Sequence, residues 1–281
     1  MGFGQLVYMS LLERTKSLLR SYRSPPKKAF GQNFMVEPSV YDRMIDNASL
    51  TKGDTVLDIG AGLGFLTRLM AEKSKQVIAV EADPQLVFIL REQLSEIPNV
   101  QIVQGDVFKV NVPRFNKIVS TPPYSISSRL LLWILNNRFD CAVLVLQKEF
   151  ANRLAASVGN EDYGWLSVLT FCSANVDLLD VIPKSTFFPS PKVDSVITRL
   201  VPKIAPFDLR MNGTGFKRFV QMLFTQRNRK VRNAVLPYVR SVHRVPKEAA
   251  NVIVEKLPFL DRRVRELAPE DFGVLANAFR E

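Results

Sequence analysis

Residues 55–67 read TVLDIGAGLGFLT. The apolar run that ends at Ile59 has the character of a buried strand, and the helical periodicity of FLTRLMAEKS sets in directly after Gly64. Between them the turn Asp58–Gly64 holds glycines at 60, 62 and 64. Glycines at such a turn let the backbone approach a ligand closely, and the helix that follows offers free N–H groups. A strand, a glycine-rich turn and a helix in this order open a nucleotide-binding α/β domain.

The same alternation continues outward from that stretch. VYDRMIDNASL reads as a helix before it, and QVIAVEAD as a strand after it. PQLVFILREQLSE is then helical, VQIVQGD and FNKIVSTPP are strands, LLLWILNN is a helix, CAVLVLQ is a strand and KEFANRLAAS is a helix. Apolar strands alternating with helices predict a parallel sheet covered on both faces, a Rossmann-like α/β domain. From VPKIAPFDLRMNGTG the pattern changes, and FKRFVQMLFTQ, RKVRNAVLPYVR, KEAANVIVEKL and PEDFGVLANAFR read as helices only. The expected organisation is a basic leader over 1–30, a catalytic domain over 31–203 and a small all-α domain over 204–281.

Composition narrows the function classes. With 281 residues, 47% of them hydrophobic and 23% charged, the chain is long enough for a sizeable core and is neither low-complexity nor disordered. Cys141 and Cys172 both sit in apolar runs, as reduced core thiols do. A single histidine, His243, supports neither a histidine metal site nor a Ser-His-Asp triad, so no metal is expected. The net charge of +11 is unevenly spread. Residues 1–30 carry six basic side chains against one acidic, and residues 201–244 carry ten against one, whereas residues 31–200 carry 16 against 18. Basic flanks around a near-neutral body are the pattern of a protein that grips a polyanion, nucleic acid first among them. No apolar stretch approaches the ~20 residues of a membrane span. The first residues form a basic, amphipathic leader without a secretory cleavage pattern, and a cytoplasmic protein is expected.

Two carboxylates sharpen the ligand. The second strand ends in Glu81, where a side chain can accept both ribose hydroxyls of an adenosine, and the third ends in Gly105-Asp106, where a carboxylate can accept from an adenine amino group. The G-x-G-x-G spacing differs from the G-x-G-x-x-G of dinucleotide sites. Together these features favour S-adenosylmethionine. The next strand ends in STPPYSIS, residues 120–127. A polar side chain and a backbone carbonyl there, Thr121 and Pro122, can hold an exocyclic aryl amine pyramidal, while Tyr124 offers a face to a base drawn from its stack.

The chain resembles the KsgA-type ribosomal RNA adenine dimethyltransferase family, whose relatives include the erythromycin-resistance methyltransferases and the mitochondrial transcription-factor-B proteins. The resemblance rests on KKAFGQNFM, VLDIGAGLGFLT, VIAVEAD, QGDV, STPPYSIS, VLQKEFANRLAA, YGWLSVL, FFPSPKVDS, FTQRNRKVRNAV and DRRVRELAPEDFGVLANAF, from residue 27 to about residue 280. It implies dimethylation of the 6-amino groups of two adjacent adenines in a hairpin near the 3′ end of small-subunit rRNA, during ribosome biogenesis. By the same resemblance Gln32, Asn33 and Met35 belong to a segment folding over the cofactor, and Gly60 and Gly62 line its methionine moiety. Glu81 then holds the ribose and Asp106 faces the adenine. Thr121 borders both cofactor and target, Tyr124 stacks on the target base, and Phe187 closes its other face.

Thr121 and Pro122 depart from the family pattern, and Met35 and Asp58 vary conservatively from its commonest residues. Asn-Leu-Pro-Tyr is Thr-Pro-Pro-Tyr here, so Thr121 stands where the family carries asparagine. That departure keeps open the alternative of a non-catalytic assembly or transcription factor with the same fold. A DNA or protein-glutamine methyltransferase is opposed by the KVDS and RNRKVRN segments. Arg227, Arg229, Lys230 and Arg232 are read as a helical, phosphate-binding cluster. The expected partners are small-subunit rRNA and the pre-ribosomal small subunit, with a monomer when free and no membrane.

Overall fold

The structure is a computed structural model and describes residues 9–208, 210, 211 and 213–279, with the side chain of His243 outside that set. The first eight residues of the expected leader therefore lie outside the described residues. The chain divides into two compact units. The first comprises residues up to Ala151 together with Asp177–Pro202, and the second comprises Asn152–Val176 together with Lys203 onward.

The elements up to the second stretch of the second unit follow in chain order. Helix α1 (Leu11–Ser21) starts at a reciprocal Ser10–Glu13 cap. Strand β1 (Phe34–Met35) precedes helix α2 (Pro38–Ala48), and then come β2 (Thr55–Ile59), α3 (Phe65–Lys73), β3 (Gln76–Glu81), α4 (Pro84–Gln93) and β4 (Val100–Gln104). Strand β5 (Lys117–Ser120), α5 (Ser127–Leu135), β6 (Cys141–Gln147), α6 (Lys148–Ala155), α7 (Trp165–Ser173), β7 (Ala174–Ile182), β8 (Phe187–Phe188) and β9 (Ser195–Pro202) complete the sequence as far as the second unit's remaining helices. Local chemistry sets several of these starts. Helix α4 begins at Asp83-Pro84, where the Asp83 carboxylate accepts from the Gln85 N–H at 3.0 Å and proline takes a position that needs no N–H.

Seven strands form one sheet in the order β4-β3-β2-β5-β6-β9-β7, and β1 pairs with β8 in a separate two-stranded ribbon. Strands β4, β3, β2, β5 and β6 run parallel. Strand β9 runs antiparallel to β6, which corrects the expectation of a purely parallel sheet. Sequence periodicity marks a buried apolar strand but not the direction of its neighbour, which a tertiary pairing decides. Val56, Val77, Val119 and Val143 pack under α2 and α3 in one cluster, and Leu57, Ile78, Ile118 and Leu144, of opposite parity, are equally buried. The sheet is thus covered on both faces, as the Rossmann-like reading expects.

In the second unit, residues 152–176 were expected with the catalytic domain but group with the C-terminal helices. The cause is Tyr163 and α7. The Tyr163 hydroxyl donates to the Leu267 carbonyl at 2.8 Å, and its ring meets Phe224 at 5.7 Å. Helix α7 is buried along most of its length. Helices α8 (Gly213–Phe224), α9 (Val231–Ala234), α10 (Leu236–His243), α11 (Lys247–Val254) and α12 (Pro269–Asn277) complete this unit around Phe219, Phe272 and Leu223. RKVRNAVLPYVR, read as one helix, is two, because Pro237 sits in the first turn of α10 and lacks the N–H to continue α9.

Candidate active site

The parallel strands present their C-terminal ends along one edge of the sheet. Successive strands step one way from β2 to β4 and the other way from β5, so the switch falls between β2 and β5, where such folds open a crevice. The ladder between these two strands covers only Val56–Lys117 and Leu57–Ile118. Beyond it the Ser120 hydroxyl takes over, donating to the Ile59 carbonyl at 2.6 Å and accepting from the Ile59 N–H at 3.3 Å. Both backbone groups of Ile59 are therefore satisfied where the strands part.

One cavity of about 310 Å³ lies at this opening, within the ~300–1,000 Å³ of ligand sites. Gln32, Asn33, Gly60, Gly62, Glu81 and Asp106 line it, with Thr121, Pro122, Tyr124 and Phe187 completing its wall. Ten of the eleven residues singled out in the sequence for cofactor or target are thus brought together. The eleventh, Met35, is elsewhere: it is buried in the core against α2 and reaches only a small adjoining cleft of about 40 Å³. Strand alternation explains this, since Phe34 beside it faces the cavity and successive side chains point opposite ways.

The carboxylates are held by backbone. Glu81 is 6% exposed; one of its oxygens accepts from the Gly62 N–H and the other from the Asp83 N–H, both at 2.9 Å. Each carboxylate oxygen has two lone pairs, so acceptor capacity remains for a pair of vicinal hydroxyls. Burial pushes the Glu81 carboxyl above its ordinary value against the opposing pull of those N–H groups. Burial likewise raises Asp58, to about 7, with the Glu81 charge adding to the shift and the Thr67 hydroxyl opposing it from 2.7 Å. Asp106 bonds the Phe108 N–H through one oxygen at 3.0 Å, and its second lies 4.0 Å from Arg129, whose guanidinium sits over the Phe108 ring. Gly60 is left-handed, with φ +76°, and a Cβ there would come within 3.1 Å of Pro123. A larger residue in this turn would be strained by its backbone conformation and crowded by Pro123.

A strap crosses the cavity's rim. Gln32 holds its side chain onto Asp83, donating at 2.8 Å, while its amide oxygen accepts from the Lys27 N–H at 2.7 Å. The fully buried Asp83 also takes the Lys27 ammonium at 2.7 Å. Burial pushes the Asp83 carboxyl up, but Lys27, Gln32 and the Gln85 N–H outweigh it and hold the group below its ordinary value. Beyond Asn33 the strap becomes β1, which pairs Phe34 with Phe188 and Met35 with Phe187. Lys27 and Asp83 escape a sequence reading because 56 residues separate them.

After β5 the turn Thr121–Tyr124 forms the opposite wall. Pro122 is buried, and the Thr121 hydroxyl makes no hydrogen bond among the described residues. The Tyr124 hydroxyl lies 2.6 Å from that of Ser195, and its ring meets Phe187 edge to face at 6.3 Å. Burial raises the Tyr124 phenol, opposed by Ser195, so it stays neutral. Ser195, the last residue of the KVDS segment, is a site residue that the sequence marked only as part of a motif.

The basic cluster differs from its expected form. Only Arg232 lies in a helix. Arg227 and Arg229 occupy a turn after α8, and Lys230 pairs as an isolated bridge with Arg263, the Val231 N–H donating to the Arg262 carbonyl and the Val264 N–H to that of Arg229. This long-range pairing overrides the helical propensity of the Lys- and Arg-rich run. Lys230 and Arg232 both reach Asp261, at 3.1 and 2.7 Å.

The family described as ribosomal RNA adenine dimethylase matches residues 24–261. The chain belongs to this family. A probable ribosomal RNA small subunit methyltransferase A from Methanosarcina mazei is 39% identical over 264 residues, covering 93% of this chain and 96% of the relative. A counterpart from Thermococcus gammatolerans is 37% identical over 261 residues, covering 92% and 91%. Among solved structures, a dimethyladenosine transferase from Plasmodium falciparum has a TM-score of 0.74 at 28% identity, covering 85% of this chain and 94% of that one. The 23S rRNA methyltransferase ErmE has a TM-score of 0.62 at 27% identity, covering 88% and 99%. As a ribosomal RNA adenine dimethylase, the protein is a methyltransferase that acts on rRNA adenine, and its methyl donor is S-adenosylmethionine. The cavity fits that donor: Glu81 keeps lone pairs for a ribose, Asp106 an oxygen for an adenine, and Gly60 a left-handed turn that a side chain would strain.

Proposed function

We propose that this dimethylase converts two adjacent adenines in a hairpin near the 3′ end of small-subunit rRNA to N6,N6-dimethyladenines, during ribosome biogenesis in the cytoplasm. The observation that carries the site assignment is the convergence of ten sequence-marked residues on one cavity at the β2/β5 opening. In this reading Gln32 and Asn33 belong to the cofactor strap, Gly60 and Gly62 cradle the methionine moiety, Glu81 takes the ribose hydroxyls and Asp106 the adenine amino group. Bound S-adenosylmethionine supplies an electrophilic methyl group. Tyr124 and Phe187 take the flipped target base, a stacking contact worth ~1–3 kcal/mol. The Thr121 hydroxyl and the Pro122 carbonyl accept the two amino hydrogens, which turns the nitrogen lone pair out of conjugation. Positioning of this kind replaces a strong base.

The second unit is proposed to hold the RNA through cations in and around the basic run of residues 227–232, and the free protein to be a monomer that engages the pre-ribosomal small subunit. The test is transfer of labelled methyl groups to small subunits that lack adenine dimethylation, followed by mass analysis of the digested RNA. Two dimethyladenosines at adjacent positions are expected. Monomethyladenosine alone would show that Thr121 limits the second transfer, and binding without product would make the protein a non-catalytic assembly factor.

A further inference from the structure

The basic cluster of the second unit separates into two kinds of cation. Lys230 and Arg232 share Asp261, and Arg262 holds Asp271 at 2.7 Å. Arg227 donates to the Glu161 carbonyl at 3.2 Å. By contrast, Arg229, Arg240 and Lys247 make no ion pair with any described residue. These three line one open groove of about 750 Å³, together with the polar side chains of Gln226, Asn233 and Ser241. No acidic residue lines it. The groove's floor is set by the break between α9 and α10, where Leu236 and Pro237 line its wall.

We propose that this groove is the phosphate-binding track for the RNA backbone, and that the Lys230–Asp261–Arg232 cluster braces the turn beside it rather than binding phosphate. The inference rests on the reading that the second unit holds the RNA, and it assigns which of its cations do so. Three unpaired cations at one concave surface are free to replace condensed counterions on phosphates, whereas a cation that must first leave a carboxylate gains less. The amide and hydroxyl groups of Gln226, Asn233 and Ser241 suit phosphate oxygens and ribose hydroxyls, contacts that position RNA without reading its sequence. Arg240 and Lys247 lie 11 and 18 residues beyond Arg229, and Lys247 falls outside the basic segment 201–244 that composition alone marks.

The test compares two triple variants of the full chain, R229Q/R240Q/K247Q and K230Q/R232Q/D261N, binding a transcript of the 3′-terminal part of small-subunit rRNA across a salt series. Each phosphate contact contributes ~0.7–0.9 to the slope of log affinity against log salt, so the groove variant is expected to lose about 2–3 from the slope. The same variant should weaken RNA binding by at least about tenfold at low salt, with S-adenosylmethionine affinity and melting temperature unchanged. The Asp261 variant should keep its slope within about 1 of the parent. A full slope in the groove variant with a reduced one in the Asp261 variant would overturn the groove and leave RNA binding by the second unit standing. Full slopes in both would overturn the groove and that broader reading together. Should the triple variant melt early, each single substitution is expected to remove ~0.7–0.9, and three unchanged slopes would equally overturn the proposal.

Discussion

Around the cofactor half of the cavity, from Gly62 through Glu81 to Asp83 and Gln32, the polar groups bond one another, whereas in the acceptor half the Thr121 hydroxyl has no partner among the described residues. The first half is organised before any ligand arrives, because backbone N–H groups and a buried ion pair fix its carboxylates. In the second, tyrosine and phenylalanine are locked by Ser195 and by each other, and one hydroxyl beside them is left open. A binding surface needs rigidity, and a reacting surface also needs an unspent acceptor at the point where the substrate's own donor will sit.

Substitutions can break this contrast, and Glu81→Ala is expected to have the largest effect. Removing the carboxylate strands two N–H groups and, on the proposed assignment, deletes the ribose acceptor, a loss of about 3 kcal/mol and more than about a hundredfold in S-adenosylmethionine affinity by titration calorimetry. Unchanged affinity would remove Glu81 from the site. Asp58→Asn probes the same half through pH. Because the folded-state value is raised from 3.8 to about 7, the folded protein binds the extra proton, and stability falls as pH climbs through that window. The variant should flatten this dependence, narrowing the difference in melting temperature between the window's two ends by about 5 °C. A parent whose melting temperature does not fall across the window would contradict the assignment.

In the acceptor half, Thr121→Ala is expected to slow methyl transfer about tenfold while cofactor affinity stays within about twofold. Equal losses in both would deny Thr121 its role as amine acceptor. The smallest effect is expected from Ser195→Ala, which frees the Tyr124 hydroxyl and lowers single-turnover transfer about two- to fourfold, through about 0.5–1 kcal/mol of lost positioning. Should Ser195→Ala slow transfer more than Thr121→Ala, the order of importance within the acceptor half is reversed.

The sheet's parallel core, the glycine turn and the site carboxylates were legible because each rests on local spacing: a strand end, a turn, a helix start. Seven cavity residues are marked for that reason, whereas Gln32, Asn33 and Phe187 rest on a family resemblance that runs nearly end to end. Met35 lines the small cleft that adjoins the cavity and not the cavity itself, and a strand only two residues long gives no alternation from which to read that. The antiparallel β9, the turn carrying Arg227–Lys230 and the bonds Lys27–Asp83 and Tyr124–Ser195 depend on partners distant in the chain. Local propensity cannot see them. The Asp261 contacts change the reading of the basic run most, since charge counted along a sequence does not show which cations are already matched.

The ribbon of β1 and β8 ties the strand that continues the strap, at Met35, to Phe187 against Tyr124, 152 residues away in the sequence. On the proposed assignments, whatever lifts the strap to release spent cofactor also loosens one jaw of the base clamp. Two methyl groups on one nitrogen require two cofactors in turn, so the exchange between them carries a chance of losing the half-finished base. The affinities for cofactor and for flipped adenine would then be reciprocally linked, each ligand tightening the other's hold by the same factor. The yield of singly methylated product would measure how often the grip fails between rounds.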